Sequence, residues 1–122
     1  MESQTIEFEG SGGVTLIADA WGDPDADPIL FMHGGGQTRH SWGGAAELLA
    51  GKGWRTLSVD LRGHGDSGWS PNGDYEAVHF VADINAVLSQ LGRKAVLVGA
   101  SLGGRTATFM VGNGAPDLCR AL

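Results

Sequence analysis

Ser101 lies in Val98-Gly99-Ala100-Ser101-Leu102-Gly103-Gly104, a serine framed by small residues between an apolar run and a stretch of helical pattern. A serine hydroxyl is a poor nucleophile unless it is exposed, served by a base and set beside groups that stabilise an oxyanion. A sharp strand-to-helix turn meets the first need by lifting the hydroxyl above the sheet edge. The small residues on either side let the helix close against neighbouring backbone. A helix N-terminus also directs free N–H groups and a positive dipole end at developing negative charge. Leu102 N–H is therefore the natural first oxyanion donor, with Ser101 as nucleophile.

Two further glycine motifs accompany it. Phe31-Met32-His33-Gly34-Gly35-Gly36-Gln37-Thr38-Arg39-His40-Ser41-Trp42 carries a flexible glycine loop after a strand, which can turn a second N–H towards the serine. Gly35 is the expected donor, with Gly36 the next candidate and a substrate-binding position. Val59-Asp60-Leu61-Arg62-Gly63-His64-Gly65-Asp66-Ser67-Gly68 reads as a tight turn after the next strand. All three motifs fall at the C-terminal ends of strands, where open α/β sheets place their ligands.

The elements that must position these motifs follow from periodicity. Val14 to Trp21 alternates like a half-buried strand, with Ile6 to Phe8 as its hairpin partner. Ile29 to Met32 is a continuous apolar run, as suits a strand buried on both faces. A helix capped by Ser41 is expected to run to about Ala50, and Arg55 to Asp60 forms the next strand. Asp74 is placed to cap a second helix carrying Val81, Ile84, Leu88 and Leu91 at helical spacing and stopping at Gly92. Lys94 to Gly99 is another buried strand, and Ser101 to about Asn113 a third helix. The expectation is an α/β fold in which a hairpin leads into a mainly parallel sheet with helices on both faces.

Composition excludes several classes. The chain has 122 residues, enough for one domain, with 21 glycines, of which nine lie in the three motifs. A net charge of −6, with Lys and Arg scattered, argues against nucleic acid as a partner. A single cysteine, Cys119, allows no internal disulfide. The histidines lack ligand spacing, so no metal is expected. No apolar run approaches the ~20 residues of a membrane span. The acidic opening segment lacks the features of a signal peptide, which makes the cytoplasm the expected compartment.

Taken together, His33-Gly34 followed by Trp42, the Asp60-to-Ser67 turn and the serine turn resemble the α/β-hydrolase superfamily from Val14 to Leu118. Within it they look like the branch of small esterases, cofactor-free haloperoxidase-like perhydrolases and carbon–carbon bond hydrolases. The His-Gly-Gly-Gly string also resembles lipases of the hormone-sensitive type, but their usual Asp-Ser-Ala-Gly-Gly is absent here. Epoxide hydrolases and haloalkane dehalogenases place Asp at the nucleophile position, where this chain has Ser101.

The resemblance implies a triad in the order Ser, acid, His along the chain. All four histidines precede Ser101, as do Asp60, Asp66 and Asp83, so acid and base are expected beyond Leu122. In the family His33 orders the oxyanion loop rather than acting as base. His64 reads as structural or as cleft lining, and His40 and His79 as surface or helix flank. Asp60 is expected to brace the Arg62-to-Ser67 turn, and Asp83 to belong to a helix face. Residues 1–122 thus read as the N-terminal portion of one hydrolase core domain, cut after the helix that follows the serine. A sheet ending at Lys94 to Gly99 would leave an open apolar edge, which supports that reading. The implied activity is that of a serine hydrolase, without cofactor, on a small-molecule carboxylic ester or related acyl substrate. A non-catalytic binding module and a perhydrolase are the alternatives.

Overall fold

A computed structural model describes residues 2–104, 106, 108 and 119–121. Six strands form one sheet: β1 (Gln4–Glu9), β2 (Thr15–Trp21), β3 (Pro28–Met32), β4 (Arg55–Val59), β5 (Ala95–Gly99) and β6 (Cys119–Ala121). Their spatial order is β1-β2-β4-β3-β5-β6. The hairpin β1–β2 is antiparallel, with Ile6 opposite Ala18, and β2 joins β4 antiparallel. From β4 to β6 all neighbours run parallel.

The apolar run of β3 puts this strand in the middle. All five of its residues are buried. Successive side chains point to opposite faces. Leu30 and Met32 enter one core with Leu57, Phe80, Ile84 and Leu88, while Ile29 and Phe31 enter a second with Ala46, Trp42 and Trp54. Helix α2 (Ala77–Leu91) covers the first face and α1 (Gly43–Ala50) the second. Its buried positions Phe80, Ile84, Val87 and Leu88 follow the helical period, and Gly92 ends α2 in the left-handed conformation at φ +70°.

Three local expectations are corrected. Ser41 does not cap α1: a short 3₁₀ turn over Arg39–Trp42 precedes the helix, and Thr38 accepts from His40 N–H instead. Asp74 does not cap α2, which starts after Glu76 without a side-chain cap. The Asp74 carbonyl accepts instead from Arg62 at 2.7 Å, and its N–H donates to Ser70 Oγ. Finally, β5 is not the sheet edge. Cys119–Ala121 pairs with it, Cys119 opposite Ala95, so the strand read as an open apolar edge has a neighbour. The third helix is seen at residues 102–104, 106 and 108. Its expected continuation towards Asn113 lies outside the described residues.

The order β4-β3-β5 means that the chain leaves β3 in one direction and returns over it in the other. Such a reversal opens a crevice at the strands' carboxyl ends. It brings the loop after β3 beside the turn after β5. Among the described residues no helix is long and apolar enough to cross a membrane.

Candidate active site

Ser101 stands at that crevice, exposed, at φ +54°. Among the described residues it is the one non-glycine residue with left-handed backbone. Such a conformation costs an L-residue about 1–2 kcal/mol, so the surrounding packing must hold it. The flanking glycines show how. A Cβ on Gly99 would collide with the backbone of Gly103 and Gly104, and one on Gly103 would collide with the Met32 carbonyl. Ala100 N–H donates to Met32 O at 3.3 Å, and Gly103 N–H to His33 O at 3.1 Å. The turn is thus docked onto the end of β3. Trp42 Nε1–H donates to the same Met32 carbonyl at 3.1 Å, which gives the tryptophan of the second motif a structural task.

The glycine loop lies directly against the serine. A Cβ on Gly34 would stand 3.5 Å from Ser101 Cβ, and one on Gly35 would stand 4.0 Å from Leu102 Cβ. The loop's own hydrogen bonds decide which of its N–H groups are free. Gly34 N–H donates to Gln37 Oε1 at 3.0 Å. Gly36 N–H donates to His64 Nε2 at 3.2 Å. Among the described residues Gly35 N–H has no acceptor, and its direction is set. The Gly34 carbonyl of the same peptide accepts from His33 Nδ1 at 2.7 Å and from Gln37 N–H at 3.0 Å. A trans peptide is planar, so Gly35 N–H must point opposite to that anchored carbonyl. Of the two neighbouring glycines considered from the sequence, Gly35 keeps the unclaimed donor.

His33 is fully buried, and both its ring nitrogens are occupied by backbone. Leu61 N–H donates to Nε2 at 2.9 Å, so the proton resides on Nδ1 and the ring is neutral. Burial, opposed by the bond to Gly34, holds its pKa below the ordinary 6.5. With no nitrogen to spare, His33 orders the loop and has no geometry for a base. The linkage has a definite sign. The folded state resists a proton that the unfolded chain accepts below pH 6.5, so stability falls as pH drops through that value towards the lower folded pKa. Thermal melts between pH 7.5 and 5 should show this slope, and His33→Gln should flatten it while lowering stability throughout. An unchanged slope in the variant would assign it to other groups.

Asp60 does brace the turn, and it does more. Its carboxylate accepts from Arg39 N–H at 2.6 Å, from the Arg39 guanidinium and from Asp66 N–H at 3.0 Å. Arg39 also pairs with Asp66 at 2.9 Å and Asp19 at 3.1 Å. Burial works against the Arg39 charge, but hydrogen bonds to Asp66 and Asp60 outweigh it and hold the guanidinium pKa above its usual range. The loop after β3 is thereby tied at its far end to the end of β4.

Asp83 belongs to a face of α2, as expected, and that face is turned to the core. It is buried and paired with Arg62 through two bonds, Nε to Oδ2 at 2.6 Å and Nη2 to Oδ1 at 2.7 Å. Sequence reading also passed over Arg39 and Gln37. Only Gln37 carried a local signal, being three residues from Gly34 in a turn.

No histidine among the described residues is hydrogen-bonded to Ser101, and none of them forms a cluster suited to a metal ion. The arrangement offers an exposed, strained serine flanked by Leu102 N–H at a helix start and by an oriented Gly35 N–H.

A family model described as the alpha/beta hydrolase fold matches residues 27–122. An esterase of Mycobacterium tuberculosis is 40% identical over 93% of this chain and 36% of its own length. A non-heme chloroperoxidase of Burkholderia pyrrocinia is 37% identical over 84% of the chain and 37% of its own length. Among solved structures, an epoxide hydrolase of Vigna radiata superposes with a TM-score of 0.90 at 26% identity, covering 98% of the chain and 38% of the enzyme. A thioesterase domain from the curacin biosynthetic pathway superposes with a TM-score of 0.84 at 31% identity, over 98% of the chain and 44% of that domain. The chain thus spans little more than a third of the length of these curated relatives.

Proposed function

This chain belongs to the alpha/beta-hydrolase family, and on that footing we propose that the full-length protein is a serine hydrolase acting on carboxylic esters or related acyl substrates. One observation carries the reading: a left-handed Ser101 faces a glycine loop whose Gly35 N–H is oriented and unclaimed. Ser101 Oγ attacks the substrate carbonyl, and the Leu102 and Gly35 N–H groups receive the oxyanion. Collapse expels the alcohol and leaves an acyl-enzyme, which water then hydrolyses. The acid and base act from beyond Leu122. Gly36, exposed at φ +77° with its N–H on His64, borders the acyl site through its backbone. The chemistry calls for no cofactor.

A fluorophosphonate tests this, because it labels a serine only when that serine is activated beside an oxyanion site. The full-length protein should be labelled at Ser101. Gly35→Pro removes the donor, and kcat should fall by about 10²–10³. The 122-residue chain alone should hydrolyse p-nitrophenyl acetate no faster than its Ser101→Ala variant, because neither His33 nitrogen is free to act as base. A full-length protein that ignores the probe would leave the non-catalytic binding reading in place. The chloroperoxidase relative favours one second reading, perhydrolysis, in which peroxide replaces water as the acyl acceptor. Ester turnover that yields peracid when hydrogen peroxide is added would separate the two.

A further inference from the structure

His64 has no task in the proposed chemistry, yet its bonds are specific. Nδ1 lies 2.9 Å from the carbonyl of Arg62, while Nε2 is met by Gly36 N–H at 3.2 Å. A carbonyl can only accept and an N–H can only donate, so the neutral ring must carry its proton on Nδ1 and present a lone pair at Nε2. Its ring also packs on that of His33, with centroids 4.9 Å apart. The two imidazoles share one arrangement: each gives its Nδ1 proton to a carbonyl and takes a backbone N–H at Nε2.

They act on adjacent peptides of one loop. His33 anchors the Gly34 carbonyl, and His64 holds Gly36 N–H. Resting on the serine-hydrolase reading, we propose that His64 is a positioning residue of the oxyanion site, which withdraws Gly36 N–H from the crevice so that Gly35 N–H is the loop's one donor there, beside Leu102 N–H. Without this acceptor, the left-handed Gly36 is free to rotate, and the peptide that carries the useful donor loses one of its two neighbouring anchors.

Two variants of the full-length protein separate positioning from packing. His64→Phe keeps a flat ring against His33 but offers no acceptor. His64→Gln places an amide oxygen near Nε2 and can still take Gly36 N–H. Phe is expected to lower kcat by about tenfold with KM within about twofold, and Gln to recover most of that loss. Imidazole ¹⁵N spectra give a readout independent of turnover, with neutral His64 protonated at Nδ1 and the Gly36 amide signal displaced in the Phe variant but not in Gln. A neutral proton found on Nε2, or equal losses in the Phe and Gln variants, would overturn the proposal. Turnover that does not depend on Ser101 would instead defeat the serine-hydrolase reading and with it the catalytic task, while the ¹⁵N spectra still decide whether His64 holds Gly36.

Discussion

Ser101→Ala in the full-length protein is expected to reduce ester turnover by roughly 10⁶-fold, the scale of losing a triad nucleophile. The melting temperature should barely move, because the change removes one exposed oxygen and leaves the φ of +54° as strained as before. Ser101→Gly should lose activity equally, yet gain about 1 kcal/mol of stability, since glycine adopts left-handed backbone without a Cβ penalty. The comparison of Ala with Gly therefore measures the strain stored at the turn, separately from the chemistry. Urea unfolding of the two variants reads it out. Equal stabilities would mean that the turn holds Ser101 at no cost, and Ala-variant turnover near wild type would remove Ser101 from the mechanism.

Arg62→Met should be the most damaging substitution away from the crevice, costing about 3–5 kcal/mol by leaving Asp83 charged and unpaired in the core. Arg62 and Asp83 are 2% and 1% exposed, so water cannot take over the lost bonds. The pair also ties in two further segments, because Arg62 donates to the Asp74 carbonyl at 2.7 Å and to the Ser11 carbonyl at 3.1 Å, while Asp83 accepts from Ser11 N–H at 2.8 Å. Arg62→Met with Asp83→Leu should recover much of the loss, since two apolar groups of similar volume need no partner. Recovery should be incomplete, because the backbone groups of Ser11 and Asp74 still lose their bonds. Denaturant melts of the single and double variants decide the matter. If they are equally destabilised, the cost lies in packing rather than in the stranded charge.

Much of this was legible in the residues, and the reason is locality. The alternation in Val14 to Trp21, the apolar run ending at Met32 and the helical spacing of Ile84 and Leu88 each report which side of an element meets the core, within a few residues of chain. The glycines around Ser101 were legible for a similar reason: a left-handed turn against a neighbouring strand leaves no room for a Cβ at Gly99 or Gly103. The sequence alone therefore determined the layered architecture, the order of strands and helices, and the serine turn. What it could not determine were caps and partners. Ser41 and Asp74 had the right chemistry for caps, yet Thr38 stands at the start of the 3₁₀ turn and Asp74 was drawn to Arg62 and Ser70.

The choice between Gly35 and Gly36 was of the same kind. It rests on His64 reaching Gly36 across 28 residues of chain, and on His33 reaching Leu61 across another 28. Arg62 and Asp83 are 21 residues apart, and so are Arg39 and Asp60. No local period encodes such pairs, because a buried charge or N–H is satisfied by whatever group the strand order brings beside it. That order, β4-β3-β5, was decided only when the sheet closed around β3.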